Sequence, residues 1–139
     1  MRNVQEFARD IDAVPALLTY LKTFFSVAGR VQNSHLGILL ATEEIFTNIV
    51  NHDSSGSTDP ILVTVSVEGE LCTICIASRG APFNPNDHQE VQLEGGLDVR
   101  QPGGLGLFLV RMHVDEVEYC YENELNRITL IKRFASAGE

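Results

Sequence analysis

Glu44-Ile-Phe-Thr-Asn48-Ile-Val-Asn51-His52 is the stretch on which the reading of this chain turns. It closes a segment, from about Asn33 to His52, in which Ile38, Leu39, Thr42, Ile45, Phe46 and Ile49 recur at helical spacing. The opposite face carries Glu44, Thr47, Asn48 and Asn51. In a helix Glu44 and Asn48 stand one turn apart and share a face. A carboxylate and a carboxamide oxygen stacked this way can hold a hydrated Mg²⁺, which prefers oxygen ligands and keeps several waters. The same residues also fit a plain solvated face, so spacing alone leaves both open.

Working outward, a first helix is predicted from about Asp12 to Ala28. Asp12 is placed to cap it, Pro15 sits in its first turn and Gly29 follows its end. Val14, Leu17, Leu18, Leu21, Phe24 and Phe25 recur at helical spacing. Residues 1–10 are read as a short opening strand. Beyond His52, Asp53-Ser-Ser-Gly-Ser-Thr-Asp-Pro60 is dense in turn formers and ends the second helix. Ile61, Val63, Val65 and Val67 then alternate with Leu62, Thr64 and Ser66. A tight turn follows at Glu68-Gly69-Glu70, and Leu71–Ala77 returns as an antiparallel strand.

From Ser78 to Gly103 the pattern dissolves into Gly, Pro, Asn, Asp, His and Gln. A loop this long inside a compact domain is usually functional. A short helix is expected from about Gly104 to Met112. Two closing strands follow near Glu116–Tyr121 and Arg127–Phe134, joined by a polar turn over Glu122-Asn-Glu-Leu-Asn126. No repeat and no linker interrupts residues 1–139, so one domain is expected. The order of elements implies a two-layer α+β sandwich, a mostly antiparallel mixed sheet covered on one face by helices.

Composition bounds the function. With 139 residues, 44% of them apolar, the chain can bury a core, and 21% charged residues argue against wholesale disorder. No run reaches the roughly 20 apolar residues that span a bilayer, and the start lacks a signal-peptide pattern, so a cytoplasmic protein is expected. The net charge of −9 repels phosphate backbones, which disfavours nucleic acid and is compatible with a basic protein partner. Cys72 and Cys75 have C-x-x-C spacing but fall on opposite faces of a strand, so buried reduced thiols are expected instead of a shared metal or a disulfide. His35, His88 and His113 read as surface or core histidines, too scattered for a metal site.

Two further constellations carry chemistry. Ser78-Arg79-Gly80-Ala81-Pro82-Phe83-Asn84-Pro85 follows a strand directly, and Gly80 lets a ligand approach the backbone or supplies a positive φ. Gly103-Gly104-Leu105-Gly106-Leu107-Phe108-Leu109-Val110 opens a helix whose free N–H groups and dipole favour anions. It matches neither the P-loop nor the Rossmann pattern. Each stretch alone also fits an ordinary structural role.

Their order is more specific than any one of them. An E-x-x-x-N helix, a strand ending in a glycine turn, a long loop and a G-x-G helix together resemble the Bergerat-fold (GHKL) ATPases, and within them the anti-sigma factor serine/threonine kinases. The tail Val114-Asp-Glu-Val-Glu-Tyr119, followed by Asn126-Arg-Ile-Thr-Leu130, is similar to the same family. The resemblance implies ATP and Mg²⁺ as cofactors. It implies Glu44 as general base and Asn48 as magnesium ligand. It further implies nucleotide contacts from Asn48, His52, Ser78, Gly80, Pro82 and Phe83, from Gly103, Gly104, Leu105, Gly106 and Leu107, and from Thr129. Residues 86–102 correspond to the mobile ATP lid, with Arg100 placed to meet a terminal phosphate. The implied partners are an anti-sigma-factor antagonist, phosphorylated on serine or threonine, and a sigma factor, with a homodimer as the family's frequent state.

The chain departs from the pattern at Ser78, where the family usually has an aspartate that accepts from the adenine amine. A charged hydrogen bond contributes about 1.5–3 kcal/mol against about 1 for a neutral one, so the expected loss is roughly 1–2 kcal/mol, or about 5- to 30-fold in affinity. Weaker ATP binding, another base preference and a non-catalytic binding module of the same fold all remain compatible with that serine. A sensor histidine kinase's ATPase half ranks last, since no dimerisation helices precede the domain.

Overall fold

The computed structural model describes residues 1–29, 35–52, 57–82, 84 and 110–134. Its elements are β1 (Arg2–Phe7), a 3₁₀ turn (Ile11–Ala13), α1 (Val14–Val27), α2 (Leu36–His52), β2 (Ile61–Glu68), β3 (Leu71–Arg79), β4 (Glu116–Glu122) and β5 (Leu125–Arg133). Residues 110–113 form a further helical turn. The five strands make one sheet in the order β1-β2-β3-β5-β4. Every pairing among them is antiparallel, so the described sheet is purely antiparallel where a mixed one was expected.

Strict alternation decides which sheet face is covered. Ile61, Val63, Val65 and Val67 of β2, Cys72, Ile74 and Ile76 of β3, and Ile128 and Leu130 of β5 are all buried. Against them lie Leu17, Leu21, Phe24 and Phe25 of α1 and Ile38, Leu39, Ile45, Phe46 and Ile49 of α2. Each such side chain contributes about 1.5–3 kcal/mol on burial. Aromatic edges tie the layers together: Phe7 meets Phe46 at 6.5 Å between ring centroids, and Phe25 meets Phe134 at 6.2 Å and stacks on His35 at 4.5 Å. No described helix is long and apolar enough to cross a membrane.

Two local expectations are corrected, and a third falls partly outside the described residues. Asp10, not Asp12, provides the helical cap: its carboxylate accepts from the Asp12 amide at 2.9 Å and starts the 3₁₀ turn that leads into α1. The first part of the predicted second helix, residues 33 and 34, lies outside the described residues, and α2 begins at Leu36. The β4–β5 turn is also tighter than the predicted span 122–126. Only Asn123 and Glu124 lie between the strands, with φ of 54° and 62°. Two consecutive positive φ values are the mark of a type I′ hairpin, which favours Asn-Gly. The right-handed twist of the paired strands holds Glu124 in a conformation that costs a side-chain-bearing residue roughly 1 kcal/mol.

Replacing Glu124 by glycine is therefore expected to stabilise the domain by about 0.5–1 kcal/mol. The check is a higher denaturant midpoint with an unchanged slope in urea unfolding.

Candidate active site

Gly37, Ala41, Glu44 and Asn48 follow an i, i+4, i+7, i+11 progression and so line one flank of α2. The flank runs along the border of the buried face: Ala41 and Asn48 are buried and Glu44 is half-buried. At its N-terminal end another element arrives. A Cβ on Gly37 would meet His113 Nδ1 at 3.1 Å and His113 Cβ at 3.2 Å. The absence of a side chain at position 37 thus lets the helical turn at residues 110–113 pack against the flank that carries Glu44 and Asn48.

Asn48 was expected on the polar face opposite the apolar stripe. It is only 2% exposed, because it sits where the polar flank meets the sheet-facing side. A carboxamide at this depth is withdrawn from bulk water, and a polar group is costly to bury unless something bonds it. Its oxygen is a hard donor of the type Mg²⁺ takes, so the residue present fits the ion. Glu44 stands one turn earlier, where burial, and secondarily the charge of Glu43, raises its pKa above the ordinary 4.5. Both effects disfavour the ionised form and make the carboxylate a stronger base.

The second constellation lies at the end of β3. Ser78 is 3% exposed and pairs in register with Asn126 of β5, which is 4% exposed. Both face the helical layer. Gly80 has φ 154°, a conformation that glycine accepts readily, and its N–H donates to the Glu124 carbonyl at 3.0 Å. Pro82 follows and is exposed. Ser78 at the end of β3, with Gly80 just beyond it, and Asn48 of α2 are thus carried by two elements packed on each other.

Thr129 does not join them. Ser78 pairs with Asn126, so positions 126, 128 and 130 of β5 face the helices, while Thr129 pairs with Cys75 on the open side. The sheet itself separates Thr129 from Glu44, Asn48 and Ser78. Asn126 is the buried polar residue of β5 on the helix side, and the sequence reading missed it by starting β5 after it. His52 closes α2. Phe83, Arg100, Gly103, Gly104, Leu105, Gly106 and Leu107, with the rest of the predicted lid at 86–102, lie outside the described residues.

Of the cysteines, Cys72 faces the core and Cys75 the open face, as strand alternation requires. The expectation of buried thiols holds for Cys72 and not for Cys75, which is half-buried on the open face; Cys120 is exposed, because β4 is an edge strand and Cys120 points away from the helices. His35 is buried and His113 half-buried, both in packing positions.

Comparison with known proteins agrees with this arrangement. A family model described as a histidine kinase-like ATPase domain matches residues 7–132. The serine/threonine-protein kinase BtrW of Bordetella bronchiseptica is 30% identical over 99 residues, covering 70% of each chain. Among solved structures, the RsbU and RsbW domains of Rv1364c from Mycobacterium tuberculosis superpose with a TM-score of 0.70 at 16% identity over 96% of this chain. The match spans about a third, 32%, of that longer chain. The Acinetobacter baumannii histidine kinase AdeS superposes with a TM-score of 0.52 at 13% identity, over 96% of this chain and 68% of its own. At these identities the two structures speak for the fold alone.

The raised pKa of Glu44 has a consequence for stability. When the folded pKa lies above the unfolded one, the unfolded state releases its proton first, so this contribution is fully present below the ordinary 4.5 and is lost as pH rises through the folded value. Glu44→Gln is therefore expected to be more stable than the parent at pH 7, with the advantage vanishing in acid below that ordinary value. Urea unfolding of both chains at the two pH values measures it.

Proposed function

Because the chain belongs to the histidine kinase-like ATPase domain family, in the branch of the anti-sigma factor serine/threonine kinases, we propose that it transfers the γ-phosphoryl group of ATP to a serine or threonine of a protein partner. The partner is an anti-sigma-factor antagonist, and a sigma factor is held in alternation with it in the cytoplasm. The observation that carries this reading is the α2 flank, on which a half-buried carboxylate of raised pKa and a buried carboxamide stand one turn apart. A solvated helix face has no physical reason to withdraw both groups from water. The likeness to BtrW, itself a serine/threonine-protein kinase, supports the same chemistry.

Phosphoryl transfer depends mainly on positioning and on neutralising charge. Mg²⁺, held through the Asn48 oxygen, would supply charge neutralisation at the phosphates. The amide-rich segment Gly103–Gly106 is of the kind that binds phosphate oxygens. Ser78, buried on the helix side of β3, would accept a hydrogen bond from the base. Glu44 would take the proton of the attacking hydroxyl as its oxygen bonds to the γ-phosphorus and the bond to the departing ADP breaks. A carboxylate made more basic by burial suits that role better than an exposed one.

Ser78 favours a second reading, a regulatory module that keeps the fold and works by binding alone. It lacks the charged partner for an adenine amine, and its affinity for nucleotide is lower accordingly.

Calorimetric titration with ATP and Mg²⁺, and transfer of labelled phosphate to a candidate antagonist, separate the two. The kinase reading expects saturable ATP binding, transfer lost in Glu44→Gln with binding retained, and magnesium-dependent affinity lost in Asn48→Ala. Heat exchange absent at millimolar ATP supports the module. Ser78→Asp is expected to tighten ATP about 5- to 30-fold by restoring the charged acceptor.

A further inference from the structure

Three consecutive backbone carbonyls at the exit of β3 are each held by a side chain from a different part of the fold. Arg9, between β1 and the 3₁₀ turn, donates from Nη2 to the Arg79 carbonyl at 2.8 Å. Tyr121 of β4 donates its hydroxyl to the Gly80 carbonyl at 2.9 Å. Asn126 of β5 donates from Nδ2 to the Ala81 carbonyl at 2.9 Å. The donors are themselves fixed. Arg9 Nε also donates to the Asp59 carbonyl at 3.0 Å, and the Asn126 oxygen accepts from the Tyr119 hydroxyl at 2.6 Å, which orients its amide toward Ala81. On the other side of the chain, the Gly80 N–H is taken by the Glu124 carbonyl at 3.0 Å.

A glycine-containing segment that leaves a strand ordinarily exchanges its carbonyls with water and samples many conformations. Here its carbonyls are tied to the β1 side, to β4 and to β5. Ser78, directly before the segment, has no carboxylate with which to attract a nucleobase. Affinity in such a site depends on how little ordering remains to be done when the ligand arrives.

We propose that Arg9, Tyr121 and Asn126 are positioning residues that hold the Arg79–Ala81 backbone in its nucleotide-binding conformation, and that this preorganisation offsets part of what Ser78 lacks. The proposal rests on the nucleotide-binding reading above. None of the three side chains touches a reacting atom. They act through the backbone they hold, so their loss weakens ATP binding and leaves the rate at saturating ATP unchanged.

The test is ATP affinity by calorimetry and phosphotransfer kinetics for Tyr121→Phe and Arg9→Ala, with the Gly80 amide exchange rate followed by NMR. Tyr121 is 37% exposed, so removing its hydroxyl leaves the core intact, and an unchanged melting curve confirms this. Asn126→Ala is informative only beside it, since that residue is buried. The expected result for Tyr121→Phe is a dissociation constant raised about 3- to 10-fold, an unchanged rate at saturation and faster exchange at Gly80. A merely structural hydroxyl would lower the melting temperature and leave the affinity alone. If the parent chain binds ATP and both variants bind it equally well, this proposal is overturned and the nucleotide reading stands. If the parent binds no ATP at millimolar concentration, both are overturned together.

Discussion

The burial boundary along α2 is the constraint from which the rest follows. The helix must press Ile38, Ile45, Phe46 and Ile49 onto the sheet, and a sheet-facing arc that wide brings Asn48 inside with them. Glu44, one turn earlier, stops half-way. The packing that stabilises the domain therefore also desolvates two polar groups, and this desolvation is what makes them chemically useful. A carboxylate at this depth is a better base, and a carboxamide shielded from bulk water is a stronger partner for a ligand. The glycine at position 37 extends the same flank by letting a second element approach it. Stability and candidate chemistry are thus two results of one packing event. A deeper helix would neutralise Glu44 altogether, and a shallower one would return it to the ordinary carboxylate range.

Ser78 is the other end of this balance. At its depth an aspartate would carry an uncompensated charge in the ligand-free state, whereas a serine costs little to bury. The hydroxyl relieves the empty fold of that burden and gives up the charge-assisted contact. The backbone after β3 shows a different use of polar groups. Instead of one carboxylate aimed at a ligand, several neutral or distant donors hold the chain itself. Such bonds contribute about 1 kcal/mol each, and their effect is conformational more than energetic.

How much of this was legible depended on the range over which each signal acts. The α2 stripe and the β2–β3 hairpin are local periodic patterns that the structure follows, although β3 runs on to Arg79, past the expected end at Ala77. The pairing of Glu44 with Asn48 needed only helix geometry. The parity of β5 was not legible, because Leu130 and Ile131 are apolar on both faces and a two-residue I′ turn carrying glutamate instead of glycine hides the strand's start. That misjudged turn left Asn126 outside the predicted strand, whereas Thr129 entered through the family resemblance and the register puts it on the open face. The cap moved from Asp12 to Asp10 because both residues suit the role, and only the 3₁₀ turn chooses between them. The holds on Arg79, Gly80 and Ala81 span separations of 70, 41 and 45 residues, and no local pattern announces them.

The account's central claim is that a metal–triphosphate is held beside one turn of α2, on the helix side of the sheet. The most direct measurement is paramagnetic broadening of backbone amide signals by Mn²⁺ added with ATP, manganese standing in for magnesium. The account predicts distance-dependent broadening centred on residues 44–48 and absent from the open face at Cys75, Thr129 and Arg127. Broadening centred on that open face, or none that depends on ATP, would contradict it.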